Sequence, residues 1–102
     1  MDEKAGSSIR RSGRIYAAVP IEVVMDSGEG KIAYPGSTVD FSTLGTRIRT
    51  EVELRPGQQV DVIWQGQLLK SLQGRVVWSN AGRPARGVEA GLQFLQPLEI
   101  AA

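Results

Sequence analysis

From Ala17 onward, apolar and polar residues alternate in short runs with a period of two, the pattern of half-buried β-strands. Val19, Ile21, Val23 and Met25 share one face of a first strand, and Pro20 within it points to an edge position or a bulge. The run Asp-Ser-Gly-Glu-Gly at 26–30 breaks the pattern as a turn. A second, short strand centres on Val39 and Phe41. If these two enter a core, Asp40 and Ser42 must face outward together. The third strand alternates most cleanly, with Ile48, Thr50, Val52 and Leu54 inward against Arg47, Arg49, Glu51 and Glu53 outward, until Arg55-Pro56-Gly57 turns the chain.

A fourth strand places Val60, Val62 and Trp64 inward, and Gln65-Gly66-Gln67 reads as a hairpin connection into a fifth. That strand carries Leu72, Val76 and Trp78 inward, with Gly74 marking a bend or bulge. Residues 80–87 form a loop, and a last strand spans 88–94 with Val88, Ala90, Leu92 and Phe94 inward. No segment has the 3.6-residue periodicity of an amphipathic helix. The expected fold is therefore all-β, an antiparallel sheet of six strands. An open sheet would leave a face uncovered in so short a chain, so closure into a small β-barrel with a side-chain-filled interior is expected. Any ligand chemistry then belongs on the outside.

The chain has 102 residues, enough for one domain. Residues 1–8 read as a disordered tail, 9–14 as a flexible N-terminal arm, 15–97 as the barrel and 98–102 as a C-terminal tail. Formal net charge is only +1, so no global field draws nucleic acid or an acidic membrane. The charge is uneven, however. Four basic and two acidic residues give 1–14 a charge of +2, leaving eight basic and nine acidic residues, or −1, for the rest. Cysteine and histidine are both absent, which removes thiol nucleophiles, imidazole bases, disulfides and nearly every zinc site. No spacing brings a carboxylate pair or an activated Ser or Lys together, so an enzyme is not expected, nor a cofactor. With no apolar run near the roughly 18 to 20 residues that cross a bilayer, and no apolar core after Met1-Asp2-Glu3-Lys4, the expected location is cytoplasmic, without membrane insertion.

Two clusters carry candidate chemistry. Arg10-Arg11-Ser12-Gly13-Arg14 brings three guanidiniums into five residues, around a flexible Ser-Gly pair. By itself it is a solvated basic stretch as readily as a site. Asp40-Phe41-Ser42-Thr43-Leu44-Gly45, by itself, is a turn with an Asx or Ser starter and a left-handed glycine. Together they make a clamp for an anionic purine. Arginine forks suit phosphate or a guanine Hoogsteen edge, and a carboxylate can accept from guanine's ring N–H and amino group.

Taken in order, Arg-x-x-x-Arg at Arg10 and Arg14, followed 26 residues later by Asp-x-Ser-x-x-Gly at Asp40, Ser42 and Gly45, resembles the signature of the PilZ domain. Gly74-Arg75-Val76-Val77-Trp78 and Ala90-Gly91-Leu92-Gln93-Phe94 look like that family's last two strands, so the likeness covers about residues 9–96. The resemblance implies a six-stranded antiparallel PilZ-type β-barrel from a bacterial signalling protein. It implies cyclic di-GMP bound on the outer barrel face, with the arginine arm folding over it and an effector protein reading the result. Arg10 and Arg14 would contact guanine and phosphate, Asp40 and Ser42 a guanine edge and nearby phosphate. Gly45 would permit the turn, and Arg11 would add a phosphate contact, stack on a base, or do nothing. Many members continue after the last strand into a C-terminal helix, where this sequence has Leu98 to Ala102.

The alternative is a PilZ-like adaptor that binds a protein and no nucleotide. Binding of DNA or RNA is not expected, because four of the six aromatics are assigned inward and the barrel is nearly neutral. Arg47 and Arg49 read as a solvated, cross-strand paired face beside Glu51 and Glu53, and Trp64 and Trp78 as core.

Overall fold

The computed structural model describes residues 13–65, 69–80 and 87–98; the expectations for the tail at 1–8, for Arg10 and Arg11, for the 65–67 turn and for most of the 80–87 loop fall wholly or partly outside them. Six strands form: β1 (Pro20–Asp26), β2 (Lys31–Phe41), β3 (Gly45–Thr50), β4 (Gln59–Gln65), β5 (Leu69–Ser79) and β6 (Val88–Phe94). They close into one antiparallel barrel in the order β1-β2-β3-β6-β5-β4, with β1 pairing back onto β4. No helix among the described residues is long and apolar enough to cross a membrane.

Period-two alternation translates directly into the core. Ile21 and Val23 of β1, Ile48 of β3, Val60 and Val62 of β4, Val76 of β5, and Ala90 and Leu92 of β6 pack together inside, with Leu54 beyond β3 and with Met25, Val52 and Trp64 against them. Trp64 meets Phe41 edge to face at the barrel's end, with ring centroids 4.8 Å apart, a favoured aromatic geometry.

The 26–30 turn is as expected: Ser27 N–H donates to the Gly30 carbonyl at 2.8 Å, and Gly28 and Gly30 supply the positive φ values it needs. Pro20 is the first residue of β1, where a missing donor breaks no rung. Three expectations are corrected. β2 is long and starts at Lys31, because the 26–30 turn zips it to the whole of β1; Pro35 and Gly36 hide that pairing in the sequence. β3 stops at Thr50, where β6 ends at its partner Val88 and β2 beyond Gly36 pairs with β1 alone, although burial still alternates through Leu54. In β5 the ladder is regular at Gly74, and the register shifts instead between Val76 and Trp78.

A second shift lies in β2, between Thr38 and Asp40. Each shift inserts one extra residue, Val39 or Val77, so two residues of the same parity end up on opposite faces. Thr38 pairs with Ile48 and faces the core, whereas Asp40 pairs with Arg47 and faces out. Val76 pairs with the core residue Leu92, whereas Trp78 pairs with Gly91 on the outer face. Trp78 is thus no core residue; it is 41% exposed.

Candidate functional site

Cross-strand partners share a face, so the pairings Asp40↔Arg47, Arg47↔Gly91 and Gly91↔Trp78 draw one row across the outside of β2, β3, β6 and β5. The row floors an open groove of about 440 Å³, which Arg14, Tyr16 and Val77 also line. Gly91 is required here for space. A Cβ at that position would overlap the indole of Trp78, which lies on the bare backbone of β6.

The segment before β1 delivers Arg14 to this groove. Ile15 and Phe41 exchange backbone bonds, Ile15 N–H to Phe41 O at 2.7 Å and Phe41 N–H to Ile15 O at 2.9 Å. Thr38 fastens the next residues: its hydroxyl donates to Ala17 O at 2.5 Å and accepts from Val19 N–H at 2.8 Å. An isolated bridge results, and its register sets Arg14 beside Asp40.

Asp40 is covered although it faces outward. Its side chain is 4% exposed, against 38% for Arg14 and 40% for Arg47, because the two guanidiniums close over it. Arg14 Nη1 donates to Oδ1, and Arg47 Nη2 lies 3.2 Å from Oδ2. Below the carboxylate, Thr46 Oγ1 donates to the Asp40 carbonyl at 2.7 Å. The corner thus sets two guanidiniums, whose fork geometry suits phosphate or a guanine Hoogsteen edge, around one carboxylate at the groove. No group of three or more metal-ligating side chains occurs among the described residues.

Ser42 and Gly45 do not line the groove; they build the turn that aligns it. Ser42 N–H donates to Gly45 O at 2.8 Å, and Ser42 Oγ accepts from Leu44 N–H at 3.2 Å. Gly45 is not in a left-handed conformation. It is glycine because β3 presses against β6, and a Cβ would overlap the Leu92 carbonyl oxygen. The chain after β6 covers this turn, with Leu98 buried and its N–H donating to Thr43 O at 2.8 Å.

The sequence motifs therefore bring Arg14 and Asp40 into the groove, with Ser42 and Gly45 in its supporting turn, while Arg10 and Arg11 fall outside the described residues. Reading Arg47 and Trp78 from sequence alone misses both as groove residues. Arg47 was legible in principle, because a hairpin turning at 42–44 pairs Phe41 with Thr46 and so Asp40 with Arg47. Trp78 had a weaker signal in Gly91, since a glycine inside a strand marks close approach. Arg49 makes a solvated, cross-strand ion pair as expected, with Glu89 on β6 at 2.8 Å.

No match to the chain was found among curated proteins. The sequence profile of the PilZ domain, in contrast, matches residues 8–102, nearly the whole length. With that match and a closed six-stranded antiparallel barrel, the chain belongs to the PilZ domain family, a family of cyclic di-GMP-binding receptor domains and not of catalysts.

Proposed function

We propose that this chain binds cyclic di-GMP in the groove on the outer wall of the barrel, and that binding draws the segment carrying Arg10 and Arg11 over the ligand to form a surface read by an effector protein. The observation that carries the reading is the Asp40 carboxylate held between Arg14 and Arg47 at one end of an open groove, with the exposed indole of Trp78 on the same face. The ligand carries two phosphates and two guanines. Asp40 accepts from a guanine ring N–H and amino group, Arg14 and the arm arginines take phosphate or the Hoogsteen edge, and Trp78 offers a flat face for a base.

Magnitudes agree with such a site. Charge-assisted hydrogen bonds contribute about 1.5 to 3 kcal/mol each, and a bidentate guanine contact about 1 to 3. A few of these offset the ordering of a short arm and leave micromolar affinity, about −8 kcal/mol. Ser42 and Gly45 serve by fixing the turn that carries Asp40.

Calorimetric titration with cyclic di-GMP, against GTP and a cyclic adenine dinucleotide, tests the proposal. Heat is expected with the guanine dinucleotide alone. Its absence at protein concentrations of about 100 μM, well above a micromolar Kd, would refute the reading and favour the nucleotide-free adaptor.

A further inference from the structure

Arg47 belongs to neither of the two motifs, yet it occupies the middle of the groove floor. Its neighbours across the sheet are Asp40 on one side and Gly91 on the other, with Trp78 one strand further. Strands lie about 4.8 Å apart, so a group held by Asp40 and extending toward Trp78 must pass over Arg47. Gly91 has no side chain to intervene.

In the free protein Arg47 is incompletely bonded. Nη2 reaches Asp40 Oδ2 at 3.2 Å, while Nε is buried and has no acceptor among the described residues. A buried donor without an acceptor is unfavourable, more so on a charged group, and favours a rearrangement that supplies one.

Resting on the cyclic di-GMP reading, we infer that Arg47 is itself a ligand-binding residue: its guanidinium leaves Asp40 Oδ2 when a guanine edge arrives there, and takes a phosphate oxygen of the same dinucleotide. The charges require a compensating move. A guanine edge donates to both carboxylate oxygens and so competes with Arg47 for Oδ2. The displaced cation then faces a ligand whose only anionic oxygens are its phosphates, and a fork onto phosphate satisfies donors that one bond to Asp40 does not. Arg47 thereby links the position of the base to that of the phosphate, which discriminates a cyclic guanine dinucleotide from a guanine base alone.

A purely structural Arg47 would act only by neutralising Asp40, and a double-mutant cycle separates the two roles. Affinity for cyclic di-GMP is measured for Arg47→Gln in the otherwise unchanged protein and in Asp40→Asn, by calorimetry or, for weak binding, by amide chemical shifts. The expected result is a loss of about tenfold or more in both backgrounds, with Arg47→Lys recovering only part of it because an ammonium lacks the fork. A loss that vanishes once residue 40 is Asn, or no loss in either background, overturns the inference. Thermal melting without ligand checks that each variant is folded, and Arg47→Met, which keeps the aliphatic stem, replaces any Gln variant that is not. Failure of the unchanged protein to bind removes the cyclic di-GMP reading and this inference with it; binding that is indifferent to Arg47 removes the inference alone.

Discussion

The two sides of this barrel use the same antiparallel ladder to different ends. Where β1 pairs with β2 and with β4, and where β4 pairs with β5, the register runs without a shift and the alternation is devoted to packing. On the other side, β2 against β3 and β5 against β6 each carry one extra residue. Those two irregularities lie on either side of the β3–β6 pair, and they turn Asp40 and Trp78 onto one outer row. A bulge costs ladder bonds, and here each one aims a side chain into the groove. Both walls give side chains to the core, and the irregular wall supplies the site as well.

That division predicts that damage to the regular wall is large in stability and small in ligand affinity. Ile21 on β1 is buried and belongs to the central cluster. Ile21→Ala removes about 2 to 5 kcal/mol of unfolding free energy, as buried Ile→Ala changes do, measured by urea denaturation. Affinity of the folded fraction for cyclic di-GMP changes by less than about twofold, because separated sites act additively. A tenfold loss of affinity would show that the two walls are not independent.

Asp40→Ala is the converse. It removes the carboxylate on which the groove's arginines converge, and cyclic di-GMP binding falls at least about tenfold. Stability moves by less than about 1 kcal/mol, because Arg14 and Arg47 are more than a third exposed and return to water. Calorimetry and thermal melting on the same sample read both quantities. If Asp40→Ala chiefly unfolds the protein, Asp40 is a turn residue and the groove has lost its anchor.

The same division explains what could be read from the sequence. Alternation at 60–64 and at 88–94 was sufficient, because β4 and β6 have no extra residue of their own. It was not sufficient at Trp78, where a count of two from Val76 assigns the core and the inserted Val77 reverses the answer. Nothing local to Val-Val-Trp distinguishes a bulge from a regular strand. Asp40 reaches the outer face by a different route: alternation correctly sets apolar Phe41 inward, whereas Val39, which alternation sets inward as well, is the extra residue. The site's covering was legible only in part, since a hairpin turning at 42–44 sets Arg47 beside Asp40 but nothing local shows Arg14 paired with that carboxylate. Burial of Asp40 depends on Arg14 arriving through the Ile15↔Phe41 bridge and on Arg47 from the next strand, and both contacts are set by register.

The smallest expected effect tests the boundary of the site. Arg49 is on the same strand as Arg47 and the same face, two residues away, so charge and sequence alone treat the two alike. Their surroundings differ. Arg49 Nε donates to Glu89 Oε2 at 2.8 Å in an ion pair whose arginine is 61% exposed, and it does not line the Asp40 groove. Exposed pairs of this kind contribute about 0 to 1 kcal/mol, so Arg49→Ala leaves the melting temperature nearly unchanged. Long-range attraction for a dianion does fall when one positive charge is lost, but exposed charges are screened by salt, so that loss shrinks as salt rises. Arg49→Ala is therefore expected to weaken cyclic di-GMP binding less than about twofold at physiological salt, and somewhat more at low salt. An effect at Arg49 as large as at Arg47, persisting in high salt, would mean that the ligand spreads along β3 toward Glu89 instead of crossing the strands toward Trp78.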